Sequence, residues 1–105
     1  MKCKHKNIKD IFPSKTSHNI GIKKVFLNKN DSDDNLTQYA YAKLRSGDNI
    51  TSRKHESMNE YFFVHSGNGE LITDQGIIML KQGYFFYIPN GVVHQIKIKH
   101  KDGFI

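Results

Sequence analysis

The chain has 105 residues, 16 Lys+Arg against 10 Asp+Glu, and a formal charge of +6. That length supports one small domain with a modest core. A content of 37% hydrophobic and 11% aromatic residues is too apolar for a disordered chain of this charge. No run approaches the roughly 18 apolar residues of a membrane span. The start, MKCKHKNIKD, has basic residues but no apolar h-region, so no secretory signal is expected. A single cysteine, Cys3, excludes an internal disulfide framework and fits a reducing, cytoplasmic setting.

The charge is concentrated at the two ends. Lys2, Lys4, Lys6 and Lys9 open the chain, and Lys97, Lys99 and Lys101 lie near its close. Sixteen basic residues less these seven leave nine, against ten acidic ones. The middle is therefore nearly neutral, and neither nucleic acid nor membrane is an expected partner.

Helix signals are weak throughout, and β-branched and aromatic residues cluster in short runs between turn residues. Residues 20–27 read as an early strand, closed by a polar loop over 28–35. Residues 36–44 alternate, with Leu36, Gln38, Ala40, Ala42 and Leu44 on one face and Tyr39 and Tyr41 on the other. A turn follows at 46–49. Residues 60–65 form the next strand, and Gly67-Asn68-Gly69 reads as a tight turn. Residues 70–73 and 77–80, joined by Asp74-Gln75-Gly76, read as a hairpin. Residues 84–88 form a strand that ends at Pro89-Asn90-Gly91. Residues 94–99 form the last clear strand, with Ile96 and Ile98 facing in and Lys97 and Lys99 facing water. Seven or eight short strands with turns every 6–12 residues predict an all-β antiparallel sandwich or barrel.

Two segments carry the candidate chemistry. The first places Gly47, Arg53, His55, Glu60 and Gly67 at fixed intervals. The second does the same for Gly83, Pro89, Gly91 and His94. Both resemble the cupin superfamily, whose first motif is G-x5-H-x-H-x3–4-E-x6-G and whose second is G-x5-P-x-G-x2-H-x3-N. The resemblance covers residues 47–98 and implies a small single-domain antiparallel jelly-roll β-barrel. It also implies a homodimer, with residues 1–19 as an arm exchanged between subunits and residues 20–105 as the barrel domain. Two positions depart from the pattern. Arg53 stands where the family has its first metal-binding histidine, and Ile98 stands at the closing Asn.

The resemblance assigns His55, Glu60 and His94 as metal ligands. Two imidazoles and a carboxylate suit Fe(II) with open positions, and also suit Mn, Ni or Zn. If Glu60 points inward, alternation sends Phe62 and Val64 inward as well, and likewise His94 with Ile96 and Ile98. Arg53 cannot ligate a metal. Two readings of it stand side by side. In one it binds the anionic group of a small substrate held at the metal. In the other the metal is lost and Arg53 pairs with Glu60 in a polar pocket.

The implied function is binding of, or action on, a small anionic compound such as a carbohydrate derivative or organic acid. Isomerase or epimerase chemistry and dioxygenase chemistry both suit it, and the alternative is a metal-free binding or sensing module. His65 should point outward, and His5, His18 and His100 should face solvent. Asp31, Asp33 and Asp34 lack the Gly and distal Glu of a calcium loop and read as a solvated turn. The aromatic run 84–87 can be buried on both faces, one filling the barrel and the other available to pack on a second subunit.

Overall fold

The computed structural model describes residues 3–16, 20–32, 34–51, 58–99 and 103–104. A short 3-10 helix spans Ile8–Asp10, and ten strands follow: β1 Ser14–Lys15, β2 Ile22–Asn28, β3 Gln38–Leu44, β4 Asn49–Thr51, β5 Glu60–Phe63, β6 Asn68–Thr73, β7 Gly76–Lys81, β8 Phe85–Ile88, β9 His94–Ile98 and β10 Gly103–Phe104. The described residues contain no α-helix, which agrees with the weak helical periodicity of the sequence. No described helix is long and apolar enough to cross a membrane.

The strands lie in three sheets, ordered β1-β2-β3-β10, β4-β9-β6-β7 and β5-β8. The chain divides into two compact units, residues 1–42 and 43–105. In the first, β1 pairs antiparallel with β2, Ser14 opposite Lys23. Phe26 and Tyr39 contact each other with ring centroids 5.7 Å apart. Tyr39 is exposed, whereas Tyr41 is half-buried, and burial pushes its phenol up from the usual 10.0. The acidic loop works as a solvated turn. Asp31 accepts the Asn28 backbone N–H at 2.8 Å, and Asp34 accepts the Ser32 hydroxyl at 2.7 Å and the Leu36 N–H at 3.0 Å. The hydroxyl first and the N–H second hold the Asp34 carboxyl below the ordinary range. Asp33 lies outside the described residues.

The second unit holds the core. Leu44, Val64, Leu71, Leu80, Phe86, Ile88, Ile96 and Ile98 are buried together, with Ile50, Phe62 and Val92 packed against them. Every one of these strand residues sits on the inward phase of a period-two pattern. In β9 the sequence His-Gln-Ile-Lys-Ile alternates buried and half-buried positions. Its lysine face differs from expectation in one respect. Lys97 is half-buried opposite Glu70, and Lys99 reaches the same carboxylate at 2.8 Å.

The expected hairpin forms as β6–β7, closed by the two residues Asp74-Gln75 with Thr73 opposite Gly76. The tight turn expected at residues 67–69 does not form. Asn68 and Gly69 belong to β6, where Gly69 pairs with Leu80 on one side and Ile98 on the other. A Cβ there would stand 2.3 Å from the Lys97 carbonyl oxygen, so this glycine answers a close backbone approach rather than a turn. The four glycines of the two motifs play the other role. Gly47, Gly67, Gly83 and Gly91 all have φ between 82° and 88°, the left-handed region that a side chain disfavours.

Candidate functional site

Glu60 opens β5 and His94 opens β9, so each stands where a loop enters a strand. Glu60 is opposite Ile88, the last residue of β8, and the turn Pro89-Asn90-Gly91 follows at once and leads back to His94, three residues beyond Gly91. That turn closes with the Val92 N–H donating to the Pro89 carbonyl at 3.3 Å, and Gly91 at φ 82° supplies its left-handed residue. The two ends are tied directly. The Asn59 side-chain oxygen accepts the Asn90 backbone N–H at 2.9 Å and the Asn90 amide at 3.3 Å. This link holds the residue before Glu60 against the turn that presents His94. No spacing rule announces it, and it was not expected.

His94 is 3% exposed and lies on the apolar wall of Ile96 and Ile98. Its Nδ1 stands 3.2 Å from the Val92 carbonyl oxygen. A carbonyl can only accept, so Nδ1 carries the proton in this contact and Nε2 is the ring's lone-pair nitrogen. Nε2 lies 3.7 Å from Oε1 of Glu60, whose side chain is 28% exposed. An imidazole whose N–H is held by a backbone carbonyl keeps its other nitrogen for a cation, as metal-binding histidines do, and here a carboxylate stands beside that nitrogen. Two ligands at 2.0–2.2 Å from a tetrahedral ion stand roughly 3.4 Å apart, so the observed gap is within a few tenths of that spacing.

The inward expectation for Glu60, Phe62 and Val64 holds. Val64 is buried and Phe62 half-buried, stacked on Phe86 at 4.6 Å, whereas Tyr61, Phe63 and His65 face out. Arg53 and His55 fall within residues 52–57, outside the described residues. The described ends of that segment flank the pair. Thr51 closes β4 opposite Gln95, next to His94, and Met58 precedes Glu60 by two residues. Among the described residues no three His, Cys, Asp or Glu side chains gather as a metal site, so Glu60 and His94 form a pair and not a complete set. His5 is exposed as expected, while His18 and His100 lie outside the described residues. A groove of about 490 Å³ lined by Gly67, Glu70, Met79, Lys81 and Lys99 contains neither Glu60 nor His94.

Residues 40–103 match the family described as Cupin domain. The chain belongs to the cupin family. Its structure is similar to a predicted oxalate decarboxylase from Thermotoga maritima, with a TM-score of 0.82, 21% identity, and coverage of 93% of this chain and 90% of the other. It is also similar to the polyketide cyclase RemF from Streptomyces resistomycificus, with a TM-score of 0.78, 15% identity and coverage of 98% and 75%. Ectoine synthase from P. lautus matches with a TM-score of 0.73, 15% identity and coverage of 99% and 74%. At these identities the likeness is one of fold. No curated protein matches the chain in sequence.

Proposed function

We propose that this chain is a jelly-roll barrel cupin that holds a divalent metal through His55, Glu60 and His94 and takes a small anionic compound, with Arg53 as the anion's partner. The observation that carries the reading is the convergence of His94 Nε2 and Glu60 Oε1 at 3.7 Å, with Nδ1 anchored to the Val92 carbonyl. His55 would complete a two-histidine, one-carboxylate set, the donor chemistry of Fe(II), Mn, Ni or Zn sites. Such a cation supplies Lewis-acid polarisation of a bound oxygen. The chain does the remaining work. The carboxylate of Glu60 offsets the cation's charge, and Val92 fixes the ring of His94. Phe62, Ile96 and Ile98 share the inward face of β5 and β9 with the pair and back it with apolar core. Arg53 offers a planar fork suited to a carboxylate or phosphate held bidentately. The similarity to a predicted oxalate decarboxylase is in keeping with a small carboxylate as ligand. Isomerase or epimerase chemistry and dioxygenase chemistry both fit this donor set, in a reducing cytoplasm.

Isothermal titration with Mn(II) and Zn(II) tests the reading. The wild-type chain should bind one equivalent, and Glu60→Gln or His94→Ala should each weaken binding by more than about 10-fold while circular dichroism stays unchanged. Equal affinity in all three chains would contradict it. A second reading, a metal-free binding or sensing cupin, draws on Arg53 at the first-histidine position. It predicts no metal uptake, with oxalate-like anions bound in an Arg53-dependent way.

A further inference from the structure

The sheet β4-β9-β6-β7 has an outer face, opposite to the one that carries His94. Leu71, Leu80, Ile96 and Ile98 point into the core, so alternation turns Glu70, Met79, Lys81 and Lys97 outward. The register sets these side chains in rows across the strands. Lys81 stands opposite Asn68, and the Lys99 backbone N–H donates to the Asn68 carbonyl at 3.2 Å, so the first row reads Lys99, Asn68, Lys81. The second reads Lys97, Glu70, Met79, and the third Gln95, Ile72, Ile77.

The groove of about 490 Å³ lies over the first two rows, lined by Asn68, Glu70, Met79, Lys81 and Lys99, and Gly67 leaves its end free of a side chain. That volume falls in the range of small-molecule sites, roughly 300–1,000 Å³. Its charges are unequal. Glu70 is taken by Lys99 at 2.8 Å and faces Lys97 across the strands. Lys81 has no ion-pair partner among the described residues. The head of the groove is therefore cationic. Beyond it the face turns apolar. Met79 and Ile77 are 52% and 60% exposed, and Ile72 lies half-buried beside them. From Lys81 to Ile77 the strand rises about 13 Å.

We infer that this outer face is a second ligand site, separate from the Glu60–His94 pocket, for a single-chain carboxylate of medium length. The carboxylate is held between Lys81 and Lys99, and the chain lies along Met79, Ile77 and Ile72. Charge complementarity chooses the head. The unpaired Lys81 matches one negative charge, and Lys99 has donors beyond the one it gives to Glu70. Three lysines around one carboxylate disfavour a cation. The length of the apolar strip chooses the tail, since an extended decanoate spans it. The inference does not depend on the metal reading, because Lys97 and Lys99 leave β9 on the side away from His94.

Amide-resolved NMR titration of the full chain with sodium decanoate is the test. The expected result is saturable shifts at Asn68, Met79, Lys81 and Lys99, with Glu60 and His94 unmoved. Lys81→Gln should weaken binding about 5-fold, the worth of one exposed charge pair, and added salt should weaken it in the wild type. Butyrate should bind at least ~10-fold more weakly than decanoate, because it lacks the methylenes laid on the strip. Should Lys81→Gln fail to fold, the comparison of butyrate with decanoate on the unchanged chain decides. Equal affinity for the two acids would overturn the proposal. So would the absence of saturable shifts, or shifts centred on His94 or on the outward rings of β5 and β8. Flotation with anionic phospholipid vesicles should leave the protein unbound. Co-flotation lost in Lys81→Gln would make the face a membrane-docking surface and overturn the proposal as well.

Discussion

At the residue scale, the Val92 carbonyl does as much for the site as the two side chains that meet there. It holds the Nδ1 proton of His94 and so aims Nε2 at Glu60. Gly69 shows how a single missing atom can be required without any unusual torsion. The Lys97 carbonyl oxygen occupies the place of its Cβ, at 2.3 Å. Backbone on both sides, from Leu80 and Ile98, leaves little room to give. Gly69→Ala should therefore destabilise the fold by about 1–3 kcal/mol, the usual cost of overpacking, and lower the urea midpoint accordingly. A midpoint equal to that of the wild type would show that the β6–β9 pairing relaxes freely. Gly-Asn-Gly is a turn signal in sequence, and close packing between strands leaves the same letters in the chain.

At the element scale, the strands that could be read in advance are those long enough to alternate. The core phase of β5 and β9 followed from Glu60, Phe62, Val64 and His94, Ile96, Ile98. The β6–β7 hairpin followed from its Asp-Gln-Gly turn. Strands β4 and β10, of three and two residues, carry too few positions for a period and exist through their partners β9 and β3. The Asn59–Asn90 link is invisible for a related reason. It joins residues 31 apart, and no local pattern records the meeting. Asn59→Ala removes an acceptor of two N–H groups and should cost about 1 kcal/mol in denaturant unfolding. Its sharper signature is a metal affinity reduced by about 10-fold, as for other residues that orient ligands. Unchanged metal affinity in a destabilised chain would give the link a structural role alone.

At the scale of the whole molecule, the all-β class and the cupin family were legible because the motif is an interval code. Glycines recur where the backbone turns left-handed, and Glu60 and His94 recur where loops enter strands. The +6 charge was less informative. One carboxylate, Glu70, already meets Lys99 and lies opposite Lys97. The outward aromatic face could be read from the run 84–87 only as a possibility of burial on both sides. The register with Tyr61 and Phe63 turns it into a surface. The central claim remains that a cation joins His94 to Glu60. Elemental analysis of the protein, purified without chelator or added metal, tests it most directly. The expected result is close to one equivalent of a single transition metal, lost in the His94→Ala chain. Less than about 0.1 equivalent of any transition metal, with none taken up on titration, would contradict it.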